Sequence, residues 1–62
     1  MSKFLRLTGI SGNDLLVDKS LVVAAVSDWQ GNKECRKIVT RNCEKYYVKD
    51  SIDVIQTQLE ED

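Results

Sequence analysis

Apolar and polar positions along this chain alternate mainly with the period of two that marks strands. Lys3 to Thr8 puts Leu5 and Leu7 on one face, with polar Lys3, Arg6 and Thr8 around them, which predicts a strand over residues 3–8. Gly9-Ile10-Ser11-Gly12-Asn13-Asp14 reads as a turn, because Gly and Asn tolerate positive φ. Ile10 within it is expected to be a buried plug. A short strand over 15–17 ends at Asp18-Lys19-Ser20, whose side chains compete for backbone hydrogen bonds and favour a tight turn. Residues 21–27 are apolar on both faces, as in a central strand covered by the core on one side and by a helix or another subunit on the other. A buried helix shows the same run, but the β-branched content and the length of about six residues favour a strand.

Ser27-Asp28-Trp29-Gln30-Gly31-Asn32 reads as a hairpin loop, and residues 33–40 as the next strand. Arg41-Asn42 predicts a two-residue turn with positive φ at Asn42. The last strand covers 43–48, with Tyr46 and Val48 on one face and Tyr47 on the other. The period then changes. Ile52, Ile55 and Leu59 fall at i, i+3 and i+7, an apolar stripe that predicts a helix over 51–60, capped by Asp50 or Ser51. Asp50 and Asp53 suit the positive end of its dipole.

The fold class is therefore mainly β, in one small domain over residues 1–62: five short antiparallel strands, a curved and barrel-like sheet, and one C-terminal α-helix. The expected core is Leu5, Leu7, Ile10, Leu15, Val17, Leu21, Val23, Ala25, Ile38, Tyr46, Val48, Ile52, Ile55 and Leu59.

Size makes that core marginal, since a chain of 62 residues buries only ~60% of the surface its unfolded form exposes. A metal is not expected to compensate, because there is no His and two Cys do not complete a four-ligand site. Two Cys without a secretory signal read as free thiols in a reducing cytoplasm. The longest apolar run, Leu21 to Val26, is far shorter than the ~20 residues that span a bilayer, so no membrane contact is expected. Exposed sheet edges in so small a chain point to a homo-oligomer.

Charge is distributed unevenly. All nine Lys and Arg and five of the ten acids fall in residues 1–49, which therefore carry +4, while residues 50–62 carry −5. Most of the cations lie on the long hairpin: Lys33, Arg36, Lys37, Arg41, Lys45 and Lys49, interleaved with Trp29, Tyr46 and Tyr47. Cations meet phosphates and aromatic rings stack on bases, so a small RNA- or DNA-binding regulator is one reading. Glu34 and Glu44 interrupt the set, alternation sends its members to both faces, and Lys and Arg also keep sheet edges soluble. Trp29 admits two roles, an exposed anchor for a protein partner or a cap folded over the end of the core.

Catalysis finds little support. A reactive thiol needs a base or a positive environment, and neither Cys35 nor Cys43 has a His to pair with, although Arg36, Lys37 and Arg41 are neighbours. Both Cys read as ordinary strand residues or small buried hydrophobes. A two-residue turn would set Cys43 opposite Thr40 and Cys35 opposite Val48, which argues against a disulfide between them. The paired carboxylates sit only in the helix and tail, and Gly9 and Gly12 lack the helix and Lys of a phosphate loop. No cofactor is expected.

This order of elements resembles the small flagellar FlbD-like family. That family opens with an apolar–basic–Leu–Thr strand, matched by Leu5-Arg6-Leu7-Thr8, and an apolar residue before a polar-Gly turn, matched by Ile10-Ser11-Gly12. Leu15, Leu16, Val17 and Asp18 match its next strand, and Leu21 and Val22 its next apolar pair. Its ending is matched by Tyr46, Val48, Asp50, Ser51, Asp53, Val54 and Ile55. The chain departs from the pattern in a longer middle hairpin with Trp29 at its tip, and in Arg41-Asn42-Cys43 where a Gly is expected. Short phage-encoded chains look similar too. The resemblance implies a cytoplasmic, non-enzymatic accessory or regulatory module, or in the phage form a modulator of a host protein. A weaker resemblance is to the carbon storage regulator family, which binds RNA through an Arg just before its C-terminal helix; Lys49 and Asp50 stand there in this chain. The reading is thus a non-catalytic module that binds another protein, with Trp29, Lys33, Arg36, Lys37, Arg41, Lys45 and Tyr47 as contact residues and nucleic-acid binding as the alternative.

Overall fold

In the computed structural model, which describes residues 3–61, five strands form two antiparallel sheets followed by one helix. Strands β1 (Phe4–Thr8) and β2 (Asp14–Asp18) make a hairpin, with Leu5 opposite Val17 and Leu7 opposite Leu15. A 3-10 turn over Lys19–Leu21 leads into β3 (Val22–Gln30), which with β4 (Lys33–Thr40) and β5 (Lys45–Val48) forms a meander in the order β3-β4-β5. Helix α1 (Ile52–Glu60) closes the described chain. It is too short to cross a membrane, and among the described residues no helix is long and apolar enough to do so.

The mainly β class, the five strands and the C-terminal helix agree with the sequence, but the barrel-like closure does not. Among the described residues, backbone hydrogen bonds join the two sheets where the end of β1 reaches β5, and elsewhere side chains of the core pack between them. Gly9 bridges to Val48, Ile10 N–H donates to Tyr47 O (3.2 Å) and Lys49 N–H to Thr8 O (2.8 Å). A Cβ at Gly9 would meet the side chain of Asn13, which would have to move aside. Beyond this seam the outer edge of β1 is paired by side chains. Gln58 of α1 accepts from Arg6 N–H (2.8 Å) and donates to Arg6 O (3.0 Å), and Asp50 Oδ1 accepts from Thr8 N–H (2.6 Å). Ser51, not Asp50, is the cap of α1, its Oγ accepting from Val54 N–H.

Leu5, Leu7, Val17, Ile38, Val48 and Ile55 form the buried core, with Leu15, Val22, Ala25 and Tyr46 packed against it. Fully burying a residue such as Leu5, Ile38 or Ile55 is worth about 1.5–3 kcal/mol. Five expected core residues are exposed instead: Ile10, Leu21, Val23, Ile52 and Leu59. Ile10 lies in the turn after the seam. Leu21 and Val23 are displaced by a β-bulge, since Val22 pairs with Thr40 and Ala24 with Val39, leaving Val23 without a partner. The extra residue reverses the parity of what precedes it, so Val22 faces inward. Ile52 and Leu59 overhang a sheet too small to cover more of the helix stripe than Ile55. Thr40 and Cys35 are buried without having been expected in the core. The strand read as central is an edge: β3 pairs with β4 alone.

Candidate partner-binding surface

The β3–β4 hairpin is longer than its support. β5 pairs only with Arg36–Val39, so the part of the hairpin beyond Ser27 and Arg36 is a two-stranded arm. The turn is tighter than the sequence suggested. Strand pairing continues through Ser27–Arg36, Asp28–Cys35, Trp29–Glu34 and Gln30–Lys33, leaving a two-residue turn at Gly31-Asn32. Gly31 takes φ 64°, as a hairpin turn with Gly first requires. Polar Ser27, Asp28 and Gln30 mimic a loop in the sequence, but cross-strand partners hold them in the ladder, including an ion pair between Asp28 and Lys37 (3.7 Å).

Trp29 therefore lies in a strand and not in a loop. It is 60% exposed, which overturns the capping role and leaves the ring on the arm open to solvent. Register and alternation place it on the face shared by Ala25, Ile38 and Val48, beyond the end of the core. Glu34 stands opposite, and Arg36 follows on the same face. Arg36 is committed within the fold: its Nε donates to Asp50 O (3.1 Å), and its Nη1 lies 3.8 Å from Glu34 Oε1. It ties β4 to the segment that leads into α1.

The other face of the meander gathers Lys33, Lys37, Lys45 and Tyr47. Of the predicted cations, Lys37 is paired with Asp28, whereas among the described residues Lys33, Arg41 and Lys45 have no carboxylate within ion-pair distance. Arg41 sits in the β4–β5 turn, roughly 24 Å of strand from the position of Trp29. The seven predicted contact residues thus do not form one site. They divide into Trp29 and Arg36 on one face, a Lys–Tyr group on the other, and Arg41 at the far end.

The β4–β5 turn also differs from expectation. It spans Arg41–Glu44, and the positive φ (67°) falls on Cys43 rather than Asn42. Cys43 N–H donates to Thr40 O and Thr40 N–H to Glu44 O, so a type I turn is followed by a left-handed residue. Thr40 Oγ1, although buried, accepts from Glu44 N–H and donates to Asn42 Oδ1. Tyr46 donates to Glu44 Oε1, which favours the neutral phenol and raises its pKa. The longer turn shifts the register by one, setting Arg36 rather than Cys35 opposite Val48. Both thiols are free; Cys35 is buried and Cys43 exposed.

Sequence reasoning missed a further feature. The unpaired edge of β3, at Val22–Ala25, borders α1 across an open apolar groove of about 320 Å³, flanked by Ile52, Ile55, Gln56 and Leu59. Val23 is 64% exposed at its rim. The signal available was a long strand with Asp28 as its sole charge, fewer charges than usually guard an edge; the protection it has is the bulge at Val23 and the Asp28 carboxylate, which accepts from Trp29 N–H. Comparison with family models, curated proteins and solved structures finds no match.

Proposed function

We propose that this chain is a non-catalytic interaction module, accessory or regulatory, that binds another protein through the β3–β4 arm. The observation that carries this reading is the exposed indole of Trp29 on a two-stranded arm that projects past the core. An exposed Trp on a strand is held with little conformational freedom and offers a large apolar surface to a partner, the character of an interface hot spot. The absence of His from the sequence supports a non-catalytic role, because the one exposed thiol, Cys43, has no imidazole base to activate it. Two unpaired cysteines fit a reducing cytoplasm. The resemblance to FlbD-like and phage-encoded chains points the same way, toward modulation of a larger protein.

Capture of partners by the wild-type chain and by Trp29→Ala tests this reading. Trp29→Ala is expected to weaken the captured complex by about 2 kcal/mol or more, roughly 30-fold, with the circular dichroism of the chain unchanged. An identical partner set and affinity for both proteins would refute it.

One observation favours a second reading: Lys33, Lys37, Lys45 and Tyr47 share a face, which suits a nucleic-acid backbone with one stacking ring. Affinity for single-stranded RNA or DNA would then fall steeply with salt and decline further in Lys33→Ala with Lys45→Ala. No binding at low salt removes that alternative.

A further inference from the structure

We infer that the outer edge of β2 docks an extended segment of another protein whose residues follow the pattern basic–x–apolar–x–basic. Trp29 takes no part, since it lies in the other sheet. The ladder of the first hairpin fixes which backbone groups of β2 face outward. Gly9 N–H donates to Asn13 O and Lys19 N–H to Lys3 O, so between them Leu7 with Leu15 and Leu5 with Val17 are the hydrogen-bonded pairs. Arg6 and Thr8 accordingly turn their backbone groups away from β2, where Gln58, Asp50 and Lys49 take them. By the same alternation Asp14, Leu16 and Asp18 turn theirs away from β1. Among the described residues nothing pairs with the N–H or C=O of Leu16, and the β1–β2 register runs without a bulge.

Side chains along this edge select the occupant. Leu15 and Val17 turn to the core, so Asp14, Leu16 and Asp18 share the opposite face, where Leu16 is 65% exposed between two carboxylates. A hollow of about 580 Å³ opens over that face, bordered by Phe4, Arg6, Thr8, Asp14 and Leu16. A strand added at the edge bonds through its residue opposite Leu16, and the side chain of that residue falls beside Leu16 over the hollow. The residues two positions to either side fall beside Asp14 and Asp18. An apolar residue flanked at that spacing by Lys or Arg therefore meets all three, whichever way the strand runs. Asp14 has no ion pair among the described residues. Asp18 accepts from Ser20, and its carboxylate has further acceptor sites. Arg6, the one cation at the hollow, stands on β1, a strand away from the edge. The same carboxylates disfavour a second copy of this chain: two β2 edges paired antiparallel through Leu16 would set Asp14 against Asp18, like charges directly opposite.

The probe is a short labelled peptide, acetylated and amidated, in which threonine alternates with lysine, phenylalanine and lysine in that order. The control carries glutamate in place of both lysines. Fluorescence anisotropy at low salt is expected to show the basic peptide bound about tenfold or more tightly than the acidic one. Asp14→Lys should weaken the basic peptide about fivefold or more with unchanged circular dichroism, whereas Trp29→Ala should leave its affinity as it is. Amide exchange followed by NMR reads the edge itself: Leu16 N–H, unpaired in the free chain, should exchange about tenfold or more slowly once the peptide is bound. No binding of the basic peptide into the millimolar range overturns the inference. So does binding that leaves Leu16 exchange unchanged, that Asp14→Lys does not weaken, or that the glutamate peptide matches. Binding lost in Trp29→Ala would assign the peptide to the arm and refute the β2 edge, while failure of the β2 edge leaves the reading of Trp29 standing.

Discussion

Cys43 takes a backbone conformation that suits Gly. Its φ of 67° places the Cβ close to its own carbonyl, at a penalty of roughly 1–2 kcal/mol for an L-residue, part of which Gly returns as unfolded-state entropy. Cys43→Gly is therefore expected to raise stability by up to ~1 kcal/mol in urea denaturation, where Asn42→Gly, at negative φ, should lower it. Asp18 defines a second residue-scale effect. Its carboxylate accepts from Ser20 Oγ (2.8 Å) and Ser20 N–H (2.9 Å), and these bonds lower its pKa. The folded chain then binds fewer protons at this site than the unfolded chain. The contribution is complete above the ordinary carboxylate value, about 3.9, and is lost as pH falls through the lowered folded value. Denaturation as a function of pH should show this acid-side decline in the wild type and a shallower one in Asp18→Asn, which keeps an acceptor but does not titrate.

At the scale of elements, α1 does more than cover the core. Gln58 pairs with both backbone groups of Arg6, standing in for a neighbouring strand along β1, while Asp50 and Lys49 continue the same edge at Thr8. The contrast with β3 is direct: the edge of β1 is satisfied by side chains of the helix, whereas on the edge of β3 a side chain of the strand itself, Asp28, accepts from Trp29 N–H (2.8 Å) and no helix side chain pairs with it among the described hydrogen bonds. Gln58→Ala should remove two hydrogen bonds at a solvent-accessible edge, with a loss of about 1–2 kcal/mol. In a domain of this size that lowers the midpoint of thermal unfolding by roughly 4–16 °C. Gln58→Glu should fall between the two, since it still accepts from Arg6 N–H but cannot donate to Arg6 O. An unchanged midpoint in Gln58→Ala would show that the edge does not depend on this pairing.

For the whole molecule, the consequence is an elongated body, 35 × 22 × 18 Å, with the exposed Trp29 on an arm beyond the core. The core is confined to the region where β1, β2, the middle of β4, β5 and α1 converge. The arm that holds Trp29 extends past it; Cys35 is buried at its base, and from Trp29 and Glu34 outward the described residues are held by pairing between two strands. Loss of Trp29 should therefore affect binding far more than stability, and the pair of measurements already described, affinity and circular dichroism for Trp29→Ala, separates the two. Substitution of Ile55 with Ala shows the opposite balance, expected to cost about 2–5 kcal/mol of stability because the residue is buried under the helix.

Local patterns were sufficient for the elements themselves. Alternation in Leu5-Arg6-Leu7, the polar stop at Asp18-Lys19-Ser20, and the spacing of Ile52, Ile55 and Leu59 located strands and helix to within a few residues, because periodicity and capping act over one or two turns of chain. The seven candidate contact residues were visible only as residue types. Whether they met depended on register, which a one-residue change in the β4–β5 turn altered. Likewise, nothing near Val23 announces a bulge, and nothing in Ser27-Asp28-Trp29-Gln30 distinguishes a loop from an extended strand until β4 supplies its partners. Strand order is the largest such case. The same apolar run serves as a central or an edge strand, and the choice rests on contacts between residues far apart in sequence. The sequence by itself determined which segments are extended or helical; only the tertiary structure decided which edge of β3 stays open, because unpaired N–H and C=O groups are identical in every residue until the rest of the chain has found its place.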